Sequence, residues 1–192
     1  MLLINHGCDI HRVTKHGSTP LFIACQYGRA DVAALLVDKG ANVDQDTNDG
    51  ATPLFIACQN AHWKVAALLV DKGANVDQAR NDGCTPLSIA CQNAHLKVAA
   101  LLVDKGAKID QAKDDGGTPL MAASHFNHPQ VVALLLKRGA NMDATVPDGR
   151  AALDFATEAG HHEIVAMLKA EPVKRAAPVK PVKPVKLDRL IV

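Results

Sequence analysis

The strongest constraint on the fold of this chain is an internal repeat with a period of 33 residues. The tripeptide Thr-Pro-Leu occurs four times at this spacing, and a degenerate fifth copy, Ala151-Ala152-Leu153, continues the series. Residues 50–82 and 83–115 differ at only seven positions. The four copies begin at Thr19, Thr52, Thr85 and Thr118. Such regular spacing is typical of a solenoid built from stacked copies of one supersecondary unit.

Each unit is predicted to contain a turn, a short helix, a tight turn and a second helix. Asp49-Gly50 is a strong turn signal. Thr52 can cap a helix, and Pro53 suits its first position, where a backbone N–H would lack a partner. The second helix is expected to begin near His62 and to end at Gly73, a left-handed glycine. Neither short helix can bury its apolar face alone, so the units should stack.

The repeat resembles that of ankyrin-repeat proteins, whose pattern is G-x-T-P-L-H-x-A-A followed by a second helix that ends L-L-x-x-G-A. Gly50-Ala51-Thr52-Pro53-Leu54 and Leu68-Leu69-Val70-Asp71-Lys72-Gly73-Ala74 match it, and the resemblance covers roughly residues 1–170. It implies an all-α ankyrin-repeat solenoid of stacked helix-turn-helix units with β-hairpin or turn fingers. The family histidine after Thr-Pro-Leu is replaced throughout, by Phe22, Phe55, Ser88, Met121 and Asp154.

The chain divides into an incomplete first repeat, further repeats and a tail. The first segment aligns with the middle of a unit, because Leu2-Leu3 matches Leu35-Leu36. We expect either that the chain is part of a longer ankyrin array or that Met1 is not the true start. Pro172 is expected to end the last helix. The predicted boundaries are 1–16 for the C-terminal part of the incomplete repeat, 17–49, 50–82, 83–115, 116–148 and 149–171 for the other ankyrin repeats, and 172–192 for a disordered Pro/Val/Lys-rich tail.

Composition favours an intracellular protein. The longest apolar run is about six residues, far short of a membrane span, and the N-terminus lacks the basic region of a signal peptide. Five cysteines, an odd number, argue against a secreted disulfide framework. We therefore expect a cytoplasmic location, with the nucleus left open, and a chain that is monomeric or part of a longer array.

Several columns of reactive residues recur at the repeat spacing. Adjacent helices pack about 8–10 Å apart, too far for disulfides or a shared metal between neighbouring columns. The cysteine column, Cys25, Cys58 and Cys91, is predicted to be buried and apolar. By the family resemblance, the histidine column is structural: His62, His95, His128 and His161. Between the two helices, left-handed backbone is expected at Gly28, Ala61, Ala94, Asn127 and Gly160, where alanine costs about 1 kcal/mol.

The sequence predicts no metal site, cofactor, small-molecule substrate or catalytic residue. A cluster of His6, Cys8, His11 and His16 has zinc-binding side chains, but the repeat register spreads them along a finger. Phosphate-binding and nucleophile-elbow motifs are absent from the sequence. The acids Asp38, Asp71 and Asp104 repeat one solvated helix position. The chain is therefore predicted not to be an enzyme.

The family resemblance implies a protein-interaction module that binds an unidentified protein partner on its concave and finger face. The candidate finger-tip residues are Asn48, Arg80, Asn81, Lys113 and Asp114. The candidate first-helix residues are Tyr27, Gln59, Asn60, Gln92, Asn93 and Phe126.

The tail supports an alternative in which it is the functional element. Residues 172–192 carry a net charge of +5, and residues 1–171 carry −4. The Pro-Val-Lys triplets match the three residues per turn of polyproline II, and the candidates for docking an SH3-type domain are Arg175, Pro178, Pro181 and Lys183. The lysines could instead meet an acidic surface. Neither nucleic acid nor membrane is the expected partner, and nucleic acid is further disfavoured because the tail has no aromatic residue to stack on bases.

Overall fold

A computed structural model describes the backbone of residues 9–175 and the side chains of residues 9–170. Within that range the chain forms ten helices and no strands, arranged as five helical hairpins. The first helices of the hairpins are α1 (Pro20–Gln26), α3 (Pro53–Gln59), α5 (Pro86–Gln92), α7 (Pro119–His125) and α9 (Ala152–Glu158). The second helices are α2 (Ala30–Asp38), α4 (Trp63–Asp71), α6 (Leu96–Asp104), α8 (Pro129–Lys137) and α10 (His162–Arg175). The predicted all-α ankyrin-type stack is confirmed.

Each helix packs on the corresponding helix of the next hairpin, which gives two parallel layers. The first helices contact one another more closely than the second helices do. The exposed side of the first helices is the face that the family resemblance predicts to be concave, and we call it the concave face. Helices of seven to nine residues are not stable in isolation, so burial between repeats stabilises them. Leucines at repeating positions fill this core, among them Leu54, Leu69, Leu87 and Leu102.

The first helix of each repeat begins at a side-chain cap. Thr19, Thr52, Thr85 and Thr118 each accept a hydrogen bond at Oγ1 from the backbone N–H three residues later, at 3.1, 3.0, 3.1 and 3.3 Å. Proline follows each threonine at the first helical position, as predicted. In the fifth repeat Ala151 cannot act as a cap, and Asp154 Oδ2 instead accepts from the Ala151 N–H at 2.8 Å.

Four of the five residues that replace the family histidine contribute to the core, and the fifth, Asp154, is exposed. Phe22, Phe55 and Met121 are buried beneath the caps. Ser88 is buried as well, and its Oγ accepts a 3.0 Å hydrogen bond from Thr85 Oγ1. Apolar packing and one hydroxyl pair therefore occupy these four positions.

The turn between the two helices requires a left-handed residue, as predicted. Ala61, Ala94 and Asn127 each have φ of +59°, a conformation that costs residues other than glycine conformational energy. Glycine occupies the equivalent positions of the first and fifth hairpins. The second helix ends as predicted near Gly73, whose φ is +89°.

The repeats project five fingers, which are tight turns at residues 14–18, 47–51, 80–84, 113–117 and 146–150. In each finger, the first residue donates its N–H to the carbonyl of the last residue, over 2.9–3.0 Å. The fingers therefore adopt the turn form and not a regular β-hairpin, within the described part of the chain.

The end predicted for the last helix at Pro172 is wrong, because α10 continues to Arg175. A proline lacks only its own N–H, and its ring conflicts with one carbonyl of the preceding turn. Near a C-terminus that loss affects few bonds, so the helix passes the proline before it ends. Residues 176–192 lie outside the described part of the chain.

Candidate functional site: the concave and finger face

The finger tips form a row of paired charges along one edge of the stack. Arg80 Nη2 lies 2.5 Å from Asp82 Oδ2, and Lys113 Nζ lies 3.0 Å from Asp115 Oδ2. In the fifth finger, Arg150 contacts Asp148 at 2.7 Å and also reaches Glu158 of α9 at 3.0 Å. These pairs hold the cations of the fingers against their own turns.

The same pairs determine the charge state of the carboxylates. The hydrogen bond from Arg80 lowers the pKa of Asp82 from its ordinary 3.8 to about 2. The pKa of Asp115 is lowered by the backbone N–H of Gly117 and then by Lys113. Arg150 lowers the pKa of Asp148. All three carboxylates are therefore ionised near neutral pH.

Two predicted tip residues hold neighbouring fingers together. Asn48 donates its backbone N–H to His16 O at 3.0 Å and its side-chain amide to Lys15 O at 3.1 Å. Asn81 repeats this pattern, with 3.0 Å to Asp49 O and 3.2 Å to Asn48 O. Because these amides already donate within the stack, they order the finger edge. The sequence could not reveal this use, since it depends on contact between repeats.

The row of bonds between fingers changes at its C-terminal end. Asp114 donates its backbone N–H to Asp82 O at 3.2 Å, but a carboxylate has no N–H to repeat the side-chain bond of Asn81. At the next equivalent position Pro147 carries no backbone N–H at all. The fourth finger therefore keeps only the backbone bond to the third, and the fifth finger cannot donate either bond to the fourth.

The polar ends of the first helices are also joined across repeats. Gln26 O accepts from His62 Nε2 at 3.1 Å and from Asn60 Nδ2 at 3.0 Å. Gln59 O accepts in the same way from His95 and Asn93, at 2.9 and 3.2 Å. Two further histidines continue the series, with His128 bonded to Gln92 O at 2.8 Å and His161 bonded to His125 O at 2.9 Å. The predicted structural role of the histidine column is confirmed.

Two predicted site residues are aromatic and exposed. Tyr27 is 68% exposed and Phe126 is 47% exposed, at the position where the second and third hairpins have Asn60 and Asn93. Asparagine at this position bonds to the neighbouring repeat. Tyr27 and Phe126 have no side-chain amide for that bond, and their rings are exposed for contact with another molecule.

Phe126 borders a groove of about 410 Å³ between the fourth and fifth fingers. Its ring meets that of His125 edge-on, with centroids 4.9 Å apart. His125 also meets Phe155 edge-on at 6.1 Å. The guanidinium of Arg150 lies over the ring of Phe155, 4.6 Å from its centroid, so one ring of the groove already makes a cation–π contact. The sequence signal for this groove was the replacement of Gln-Asn by His125-Phe126, but its association with Phe155 and Arg150 needed the structure.

A second groove, of about 860 Å³, lies at the N-terminal end of the described stack. It is bordered by Val13, Ile23 and Tyr27, all of them exposed. Val13 precedes the first finger, Ile23 lies in α1, and Tyr27 directly follows α1.

The cysteine column is buried, as predicted. Cys25, Cys58 and Cys91 are each 0% exposed and free of disulfides. Burial raises the pKa of Cys25 to about 12 and raises those of Cys58 and Cys91 as well. Cys84, in a finger, is buried too, and desolvation raises its pKa. All four sulfurs therefore remain protonated thiols that fill space.

The repeated acids of the second helices pair across repeats. Lys72 Nζ lies 2.8 Å from Asp38, and Lys105 Nζ lies 2.8 Å from Asp71. Arg138 makes the same contact with Asp104. These exposed pairs lie on the second helices and away from the concave face, which agrees with the prediction that they are solvated structural charges.

Of the four residues in the predicted histidine and cysteine cluster, His6 and Cys8 lie outside the described residues. His11 and His16 are exposed on the first turn. Among residues 9–175, no group of three or more histidine, cysteine or acidic side chains has the arrangement of a metal site. Of the predicted tail residues, Arg175 is the last residue of α10, and Pro178, Pro181 and Lys183 lie outside the described part.

Stacked helical hairpins with fingers along one edge define a helical-repeat solenoid, in which each unit contacts only its neighbours. A family model described as ankyrin repeats (3 copies) matches residues 1–80, 41–113 and 109–176. The chain therefore belongs to the ankyrin-repeat family, whose repeats are generally protein-interaction modules and typically non-catalytic. No curated protein matches the chain in a sequence comparison.

None of the helices within residues 9–175 combines the length and hydrophobicity needed to cross a membrane. The compartment in which the protein acts stays a prediction from the sequence.

Proposed function

We propose that this chain binds a partner protein on its concave and finger face and performs no chemistry itself. The observation that carries the proposal is the exposure of Tyr27 and Phe126 at the C-terminal ends of α1 and α7. Exposed aromatic side chains are typical of the residues that contribute most to protein interfaces. Both residues follow helices whose last carbonyl or neighbouring turn is held by a histidine bond between repeats. Because this part of the backbone is already ordered, little conformational freedom would be lost on binding.

The charge states support a non-catalytic role. The finger carboxylates are ionised and paired with arginine or lysine, which leaves them poor proton donors. The buried cysteines are protonated, and a thiol is a much weaker nucleophile than a thiolate. We also propose that the partner is a protein and not a small molecule, since the grooves of about 410 and 860 Å³ are open to solvent.

The test is affinity capture from a cell lysate with the full chain and two variants as baits. One bait carries Tyr27→Asn and Phe126→Asn, which introduce the residue of the second and third hairpins and should preserve folding. The matched control is Trp63→Leu, which removes an aromatic residue that is 46% exposed at the start of α4, outside the concave face.

We expect the double variant to lose the proteins retained by the unmodified chain, and the control to keep them. Loss in the control alone would place the binding surface on the second helices and contradict the proposal. Equal retention by all three baits would exclude Tyr27 and Phe126 as binding residues.

A further inference from the structure

The groove between the fourth and fifth fingers differs from the other concave surfaces in its aromatic lining. His125, Phe126 and Phe155 meet edge-on around it, and Phe126 is 47% exposed. In the second and third hairpins the positions of His125 and Phe126 hold Gln-Asn pairs, in which the asparagine amide donates to the repeat before. This groove therefore offers ring surface where the others offer satisfied polar groups.

The carboxylates at the rim outnumber the cations. Lys113 is paired with Asp115, whereas Arg150 is shared between Asp148 and Glu158. A ligand with apolar rings or proline and with spaced positive charges would match this combination.

The C-terminal segment of the same chain has that chemistry. Residues 178–186 read Pro-Val-Lys three times, and residues 172–192 carry a net charge of +5 against −4 for residues 1–171. Proline-rich segments in the polyproline II form dock into aromatic-lined grooves, and a three-residue period places the prolines on one side. The lysines then recur at the same interval beside them.

The connection is long enough for this contact. α10 ends at Arg175 and belongs to the same repeat as the fifth finger and Phe155. A polyproline II segment advances about 3.1 Å per residue, so Pro178 can lie up to about 9 Å from Arg175, and Lys186 up to roughly 34 Å. Neighbouring repeats are only about 8–10 Å apart, as packed helices are. The segment can therefore reach back across the last repeat to the groove.

We propose that the Pro-Val-Lys segment 178–186 binds within its own chain to the groove formed by His125, Phe126 and Phe155. This proposal rests on the proposed function and adds its regulation, because a partner that uses the C-terminal half of the concave face has to displace the segment. Tethering raises the local concentration of the segment to the millimolar range, so even weak contacts keep the groove occupied.

The test is zero-length carbodiimide cross-linking of the full chain at low concentration, followed by mass spectrometry. The reagent joins a lysine to a carboxylate only when the two are in contact. We expect links from Lys180, Lys183 or Lys186 to Asp115, Asp148 or Glu158. Asp49 and Asp82 are internal controls, because they occupy the same register as Asp115 and Asp148 in fingers that lack the aromatic groove.

Two full-chain variants separate ring contact from charge. Phe126→Asn introduces the residue of the preceding repeats, and Pro178→Ala with Pro181→Ala and Pro184→Ala keeps every lysine. We expect each to lower the yield of the groove links by about fivefold, as the removal of one aromatic contact would. The yield of links to Asp49 and Asp82 should not change.

Equal links to all finger aspartates, or a yield unaffected by both variants, would mean charge attraction alone and would overturn the proposal. Links found only between two molecules, with a yield that rises with concentration, would make a second copy the occupant and would overturn it too. The mixture contains no partner, so these outcomes do not depend on whether the concave face binds another protein.

Discussion

The Nε2 atom of His95 lies 2.9 Å from the main-chain carbonyl oxygen of Gln59, a residue of the preceding repeat. The carbonyl stands at the end of α3, where no further helical N–H can reach it. The histidine therefore satisfies a helix end and fastens two repeats with one hydrogen bond.

Replacing His95 with alanine should lower the free energy of unfolding by about 1 kcal/mol, because the Gln59 carbonyl loses one of its two side-chain donors and keeps only Asn93. Urea unfolding followed by circular dichroism measures this loss. His162→Ala is the matched control, since His162 is exposed at the start of α10, and it should change stability by less than about 0.5 kcal/mol. Equal effects of the two substitutions would contradict the role assigned to His95.

Ala61→Gly and Ala94→Gly should each stabilise the protein by up to about 1 kcal/mol, because both alanines are held at φ of +59°. Thermal unfolding provides the measurement. Ala100→Gly, within α6, controls for the added flexibility and should destabilise by about 1 kcal/mol.

The reverse substitution provides a second check on the same turn. Gly28→Ala should destabilise the protein, because φ there is +66° and an added Cβ would lie 2.6 Å from His62 Nδ1. If Ala61→Gly and Ala94→Gly left the melting temperature unchanged or lower, this account of the turn would be wrong.

Ser124 is the polar member of the cysteine column. It is fully buried in α7, and its Oγ has no hydrogen-bond partner among the described residues. Ser124→Cys should raise the free energy of unfolding by about 1 kcal/mol, since a buried unbonded hydroxyl is unfavourable. Ser88→Ala should lower the free energy of unfolding, because Ser88 Oγ accepts a hydrogen bond from Thr85 Oγ1 at 3.0 Å. Chemical unfolding of both variants tests the contrast, and a destabilised Ser124→Cys protein would refute it.

The Arg80–Asp82 pair should make the free energy of unfolding depend on pH in the acidic range. Folding lowers the pKa of Asp82 from 3.8 to about 2, so the stabilisation is present above pH 4 and is lost as the pH falls toward 2. The pair is exposed, and solvent and salt screen it, so we expect a contribution below about 1 kcal/mol. The measurement is urea unfolding from pH 5 to pH 2, in which Asp82→Asn should flatten the curve. High salt should reduce the difference between the proteins, and identical curves at low salt would show that the pair does not contribute.

Much of the fold could be predicted because its signals are local and repeated. Thr52 and Pro53 specify the start of α3, because the threonine side chain accepts a hydrogen bond from the N–H three residues later. Gly73 specifies the end of α4, because its positive φ does not continue a helix. Four copies in register then made the stack predictable. The predicted end at Pro172 was wrong because a proline near a helix terminus removes too few bonds to stop the helix.

The candidate site was only partly predictable. Tyr27 and Phe126 were identified from the repeat register, and both side chains are exposed in the structure. Asn48 and Asn81 were named for the same reason, yet their amides bond to the fingers before them. A repeat alignment shows which positions are equivalent, and it does not show which donors the neighbouring repeat already uses.

The sequence by itself determined the repeat unit, its caps and its turns, since those depend on residues close together in the chain. Only the tertiary structure decided how one repeat meets the next. His125, Phe126 and Phe155 form one groove, and Asn81 reaches Asn48, because stacking brings residues about one repeat apart into contact. Contacts of that kind depend on the distance and rotation between helical hairpins, which the packing of the whole core sets.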